Sequence, residues 1–232
     1  MPMLNMLSAD NQKRLIDMYV NPFFVVGLRG RLMKLFNNTL AMLWFFMGMP
    51  SLLYGQELTA IETAELGVET LLETVIESKD FFLTDRERYF AAVEEAVSNT
   101  VDFNAVAEVV MSRYADLATA EQKQRFADIL KNTLTRFYGA ALVSYNGQEL
   151  VFLPSTNPEG DSRADTVVGM ELRGGDSNLT LQYQMFLNEN DEWKLKNLSL
   201  AGINLGRQYY TQFSALMTQH NNDIDLVLEN WK

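Results

Sequence analysis

The sequence predicts an α+β fold: a curved antiparallel sheet of about four strands packed against several helices and enclosing an apolar pocket. Three observations lead there. Apolar residues recur at steps of three and four through residues 57–145, the period of amphipathic helices. Between residues 149 and 200 the period changes to two, the period of strands. The last helical stretch before that change, residues 119–145, carries a broad aromatic face and leads straight into the sheet, as one layer closing over another does.

The chain divides before any of this begins. Residues 1–32 make no clear element; residues 19–27 are briefly apolar but are broken by Asn21-Pro22. From Met33 the order is a positive start at Lys34, an apolar run over 40–49, then Pro50, Ser51 and Gly55 before Gln56. That is the n-, h- and c-region order of a secretory signal peptide. The run is shorter than the roughly 18–20 residues that span a bilayer, although an uncleaved anchor is the rival reading. The expected organisation is an N-terminal extension plus signal peptide over 1–55, with the signal at about 33–55 and translation starting at Met33. One domain then covers 56–232, long enough for a real core.

Within that domain, residues 57–78 read as a helix with Leu58, Ile61, Val68, Leu71, Leu72, Val75 and Ile76 on one side. Glu62, Glu65, Glu69, Glu73 and Glu77 form a solvated row. Thr84 and Glu87 have capping-box spacing and open a helix through Phe90, Val93 and Val97. Asp102 is a good N-cap for a third helix that turns Val106, Val109 and Val110 inward. Thr119 and Gln122 form another capping box. The helix they start presents Phe126, Leu130, Leu134, Phe137 and Ala141, with Ile129, Tyr138 and Leu142 beside them, and leaves Lys123, Gln124, Lys131, Asn132 and Thr135 wet.

The strands follow. Asn146-Gly147 is a turn signal. Residues 149–153 make a short strand ended by Pro154, and 154–165, with Pro158, Gly160 and alternating charges, form a mobile loop. Residues 166–173 make the next strand, turned by Gly174-Gly175-Asp176. Residues 179–187 alternate cleanly, and 188–192 form a polar hairpin loop. In the next strand Trp193 and Leu195 share one parity while Leu198 and Leu200 share the other, the signature of a bulge near Lys196-Asn197. Helical stretches at 206–219 and 223–231 close the chain.

The chemistry on offer is sparse. There is no cysteine, so no disulfide and no thiolate nucleophile, and a single histidine, His220, which argues against multi-histidine zinc sites. His220 reads as a solvated loop residue without a nucleophile or orienting partner. The acid pairs Glu94-Glu95 and Asp223/Asp225 read as solvent-facing. The formal net charge is −11, and residues 1–55 hold only two of the 30 acids, Asp10 and Asp17. So acidic a body is a poor nucleic-acid binder and is repelled by anionic lipid surfaces. No nucleic acid, metal or cofactor is expected.

What remains is apolar. One parity of the strands offers Val168, Met170, Leu172, Leu181, Tyr183, Met185 and Leu195 as an inner wall without a charge. Such a wall suits an acyl chain better than a polar substrate, yet the same residues would serve a solid core. Two further alternatives stand: an enzyme on a cone-shaped sheet, which needs an inward acid where Glu171 is the sole strand-centre candidate and has the wrong parity, and a pocketless adaptor that binds proteins through its helices.

A set of short motifs then resembles one known family. Tyr89-Phe90, Val101-Asp102-Phe103, the run 109–114, Ala118-Thr119, the run 121–126, the run 134–138, Ala141-Leu142 and Tyr145 are followed by Trp193-Lys194-Leu195, Gly202-Ile203, Tyr209 and Gln212-Phe213. In order and spacing, over roughly 58–232, these are similar to periplasmic phospholipid-binding proteins of the MlaC type, the toluene-tolerance auxiliary family. Asn197 stands where the family pattern has an aspartate, Ala201 where it has an acid, Asn204 where it has a serine, and Tyr210 where it has the arginine of a Tyr-Arg pair, with Arg207 nearby. The resemblance implies a soluble periplasmic carrier, not an enzyme, that shuttles phospholipid between an outer-membrane lipoprotein–porin complex and an inner-membrane ABC transporter and so maintains outer-membrane lipid asymmetry. Phospholipid would be cargo rather than cofactor. The implied lipid contacts are Val106, Val110, Phe126, Leu130, Leu134, Phe137 and Tyr138 from the helices, and Val168, Met170, Leu172, Leu181, Tyr183, Met185 and Leu195 from the sheet.

Overall fold

Helix α1 (Ala60–Ser78) begins where the capping chemistry dictates. Thr59 Oγ1 accepts a hydrogen bond from the Glu62 N–H, and Glu62 returns a carboxylate oxygen to the Thr59 N–H at 2.8 Å, so the helix starts three residues later than periodicity alone suggests. The structure, a computed structural model, describes residues 58–153, 162–174 and 178–231. The expected N-terminal extension and signal peptide lie outside the described residues, as do most of the 154–165 loop and Gly175-Asp176 of the following turn.

Helices α2 (Phe81–Thr84) and α3 (Arg86–Ser98) are separated by one residue, and this corrects the expected cap. Thr84 ends α2, its hydroxyl donating back to the Asp80 carbonyl at 3.0 Å. The cap is Asp85, whose non-helical backbone (φ −151°, ψ 77°) lets its carboxylate accept from the Arg88 N–H. Helix α4 (Phe103–Met111) is capped by Asp102, which accepts from the N–H groups of Asn104 and Ala105. After a 3-10 turn (Ser112–Leu117) comes α5 (Ala120–Leu142), opened by the reciprocal Thr119–Gln122 box at 3.0 and 3.1 Å. On α1 Glu62, Glu69, Glu73 and Glu77 are exposed as expected and Glu65 is half-buried, but Leu58, just before the helix, and Ile76 are exposed too, because the buried stripe runs through Ala64, Leu72 and Val75.

Strands β1 (Glu149–Leu153), β2 (Thr166–Arg173), β3 (Leu179–Leu187), β4 (Trp193–Leu200) and β5 (Ile203–Asn204) form an open antiparallel sheet in sequence order. The fifth strand is a two-residue edge that the sequence pattern did not announce. The expected bulge is present: Gln184 pairs with Asn197 and Met185 with Leu195, leaving Lys196 as the extra residue. The extra residue restores phase, so that Leu195, Leu198 and Leu200 all wall the same space. Helices α6 (Leu205–Gln219) and α7 (Ile224–Glu229) complete the chain.

The buried apolar residues form three clusters rather than one. Val110, Phe126, Leu130, Phe213, Met217 and Val227 join α4, α5, α6 and α7, and Trp231, just beyond α7, sets its ring edge-on to Phe126 at 4.9 Å. Val75, Tyr89, Phe90 and Val93 join α1 and α3, and Tyr89 donates its hydroxyl to the Gly139 carbonyl at 2.8 Å. Ala60, Ala64, Val168 and Met185 join α1 to the sheet. Close packing normally merges such clusters into one core; here a cavity lies among them.

Candidate functional site

Every cluster sends at least one member to the same void: Val110 from the first, Val93 from the second, and Ala64 and Met185 from the third. It has a volume of about 410 Å³, within the range of ligand pockets. The sheet supplies one wall through Met170, Leu172, Leu181, Tyr183, Met185 and Leu195, and the helices supply the other through Val106, Val110, Leu134 and Tyr138. These ten of the fourteen residues expected to contact lipid therefore meet around a single space. The half-core, half-cavity ambiguity of the sequence resolves in favour of a cavity.

Four expected contacts lie elsewhere. Phe126 and Leu130 have no solvent exposure and pack into the α4–α5–α6–α7 cluster. At 23 residues and about 1.5 Å per residue, α5 is long enough for its first half to serve that cluster and its second half to serve the cavity. Val168 is buried against α1 with Ala60 and Ala64. Phe137 is 67% exposed. Its ring touches Tyr138 edge-on at 5.0 Å, but its side chain leaves the helix on the outer face. The reason is rotational: α5 faces the cavity along Leu134, Thr135, Tyr138, Gly139, Ala141 and Leu142, and at 3.6 residues per turn Phe137 points about 120° away from the mean direction of that face. Thr135, expected to be wet, is consequently buried in the wall, and its hydroxyl has no hydrogen-bond partner.

Sequence reasoning also missed wall residues. Leu198 and Leu200 belong to the wall once the bulge is used to reassign their parity. Gly67 and Tyr209 line it as well, and neither carries a pattern that distinguishes it from an ordinary helix residue.

Among the described residues, no charged side chain lines the cavity. Its polar atoms are mostly satisfied internally. The Tyr138 and Tyr209 hydroxyls lie 3.4 Å apart, and the Tyr183 hydroxyl reaches Met170 Sδ at 3.7 Å. Burial pushes both the Tyr138 and the Tyr183 phenols well above the usual tyrosine range, so they stay neutral at physiological pH. The Asn197 carboxamide is fully used: it donates to Gln184 and Asn204 and accepts from the N–H groups of Leu198 and Gly206.

The titratable residues weighed in the sequence lie outside this wall. Glu171 is held by Arg173 at 2.7 Å and Glu94 by Lys131 at 3.1 Å. Asp223 caps α7, and Asp225 meets Gln122 and Arg125. His220 follows α6 and is not simply solvated, since its Nε2 is buried and unpartnered. Among the described residues no cluster of three metal-binding side chains occurs, and no helix is long and apolar enough to cross a membrane.

Comparison with known proteins gives three findings. The family model described as MlaC protein matches residues 67–232. Toluene tolerance protein ttg2D of Pseudomonas putida is 30% identical over 162 residues, covering 69% of this chain and 74% of that protein. A phospholipid-binding protein of Ralstonia solanacearum, solved in complex with a phospholipid, is similar in structure with a TM-score of 0.66 at 23% identity, over 74% of this chain and 94% of its own. That last likeness is one of fold.

Proposed function

This chain belongs to the MlaC family, and from that premise we propose that it is a phospholipid carrier whose acyl cargo lies in the cavity between sheet and helices. The carrying observation is the cavity itself: about 410 Å³ walled by leucine, valine, methionine and tyrosine, with no charged side chain among the described residues. An acyl chain has no hydrogen-bonding groups to satisfy, so a wall of this composition gains from contact with it and loses nothing by desolvation. The Ralstonia relative, described as phospholipid-binding and solved with a phospholipid, supports the same cargo.

Burial of acyl chain is worth about 0.8 kcal/mol per methylene. Two chains of about fifteen carbons gain on the order of 20 kcal/mol gross by that rule. Release into water is then negligible, and exchange takes place by docking. The proposal therefore places the protein in the periplasm, delivered there by its signal peptide. It exchanges lipid with an outer-membrane lipoprotein–porin complex on one side and an inner-membrane ABC transporter on the other, and so contributes to outer-membrane lipid asymmetry. ATP hydrolysis belongs to the transporter; the carrier makes and breaks no covalent bond. The competing enzyme reading requires a carboxylate in the cavity wall, and among the described residues the wall has none.

Native mass spectrometry of the protein purified without detergent tests this. The expected spectrum shows the protein with phospholipid bound. Protein that is lipid-free and takes up no phospholipid from vesicles would overturn the proposal.

A further inference from the structure

At one place, where Gly67 of α1 meets Thr100, the cavity shares its lining with a second concavity. Gly67 of α1 has no side chain, and Thr100 occupies the hole. A Cβ on Gly67 would stand 2.4 Å from Thr100 Oγ1 and 2.9 Å from its Cγ2, so only glycine admits it. Thr100 sits between α3 and α4 with its backbone fixed on both sides. Its N–H donates to the Val97 carbonyl at 3.1 Å, and its carbonyl accepts from the Leu195 N–H at 2.8 Å.

The second concavity is of different character. It is lined by the polar side chains of Asn99, Asn190, Asp191, Glu192 and Lys194 together with the apolar Leu58, Leu66 and Trp193. Lys194 ties part of this lining together, donating to the Asn99 carbonyl at 2.8 Å and pairing with Glu192 at 3.3 Å. Gly67 and Thr100 belong to the walls of both spaces. The apolar cavity and the outer groove are thus separated here by the Thr100 side chain seated on a bare stretch of α1.

Resting on the carrier reading above, we propose that Thr100 is the stop that sets how long an acyl chain this end of the cavity accepts. A chain whose methyl end reaches Thr100 is surrounded by apolar wall. A longer chain must either buckle or displace Thr100 and enter a groove lined in part by amide, carboxylate and ammonium groups. Each methylene that stays buried favours binding about fourfold, and that gain ends at the stop. With the side chain cut back, the two spaces join, and the extra methylenes run on over Leu58, Leu66 and Trp193.

The test offers the full-length protein an equimolar mixture of two phosphatidylethanolamines, one with palmitoyl and one with arachidoyl chains, and reads the bound ratio by native mass spectrometry. The wild type favours the palmitoyl lipid. Thr100→Ala raises the long-to-short ratio by at least fourfold, and Thr100→Ser, a milder truncation, shifts it the same way. Thr100→Val keeps the bulk without the hydroxyl and behaves as wild type. An unchanged ratio in Thr100→Ala overturns the stop, as does a shift in Thr100→Val as large as that in Thr100→Ala. If the wild type binds neither lipid, the carrier reading itself fails, and the stop with it.

Discussion

Asn197 Oδ1 accepts a hydrogen bond from the Gly206 N–H at 3.0 Å, and a Cβ on Gly206 would come within 2.7 Å of that same oxygen. The contact joins the bulged segment of β4 to the start of α6. Asn204, the cap of α6, accepts from Asn197 Nδ2 at 3.1 Å and from the Arg207 N–H at 2.9 Å. The bulge and the helix start are therefore one hydrogen-bonded unit, and both Asn197 and Gly206 line the cavity. Asn197 and Asn204, from the strand and from the helix cap, thus bond directly to each other.

This unit gives the first prediction. Gly206→Ala forces a methyl group against both Asn197 Oδ1 and Val109 Cγ1, each 2.7 Å away. Overpacking of that kind costs about 1–3 kcal/mol. Asn197→Ala leaves the N–H groups of Gly206 and Leu198 without their acceptor and costs about 2–4 kcal/mol. Urea denaturation should show lower midpoints at unchanged slope. The double variant should lose less than the sum of the singles, because one contact is shared.

The second prediction separates core from cavity along α5. Leu130→Ala removes a wholly buried side chain from the α4–α5–α6–α7 cluster and costs about 2–5 kcal/mol, while bound lipid is unchanged. Phe137→Ala, on the exposed face, changes stability by no more than about 0.5 kcal/mol. Leu181→Asp places a carboxylate in the apolar wall, where desolvation opposes it, and lipid retention is lost. Parallel melting curves and native mass spectra check all three. Lipid loss in Leu130→Ala with retention in Leu181→Asp would reverse the assignment.

The third prediction concerns alkaline pH. Burial raises the Tyr183 and Tyr138 phenols in the folded protein, whereas an unfolded tyrosine ionises near pH 10. Below about pH 10 both states hold the proton, and the stability is whole. Above it the unfolded chain releases the proton first, so stability falls as pH rises through the folded value. Tyr183→Phe removes one such group, and its urea midpoint should decline less between pH 9 and pH 11 than that of the wild type. Equal declines would show that Tyr183 ionises as freely when folded as when unfolded.

Much of the fold was legible in the chain because local chemistry wrote it. Thr119 and Gln122 marked the start of α5, Asp102 that of α4, and the parity change between Leu195 and Leu198 marked the bulge. The errors are equally physical. Thr84 and Asp85 are both competent caps, and only the backbone decides between them. The rotational setting of α5 separates buried Thr135 from exposed Phe137, and it depends on neighbours contributed from far along the chain, including Tyr209. The void itself is not written in composition, since Leu134 in a cavity wall and Leu130 in a solid core are the same residue one helical turn apart. Gly67 and Thr100, 33 positions apart, become meaningful only when α1 and the α3–α4 corner are brought together.

The last prediction follows from the void. An unfilled cavity forfeits contacts at roughly 24 cal/mol per Å³, so an empty space of about 410 Å³ is an unfavourable term on the order of 10 kcal/mol at most, part of which bound acyl chains remove. A ligand that binds only the folded state adds about 2.7 kcal/mol when present at a hundred times its Kd. For a domain of this size each kcal/mol moves Tm by about 2–4 °C. Stripping the lipid should therefore lower Tm by about 5–10 °C, and reloading from vesicles should restore it. The polar surface plays no part in this term, so the shift should persist at high salt, where surface ion pairs are screened. A melting curve that does not move after delipidation verified by mass spectrometry would mean that the three clusters hold the empty cavity open on their own, and that lipid contributes nothing to the folded state.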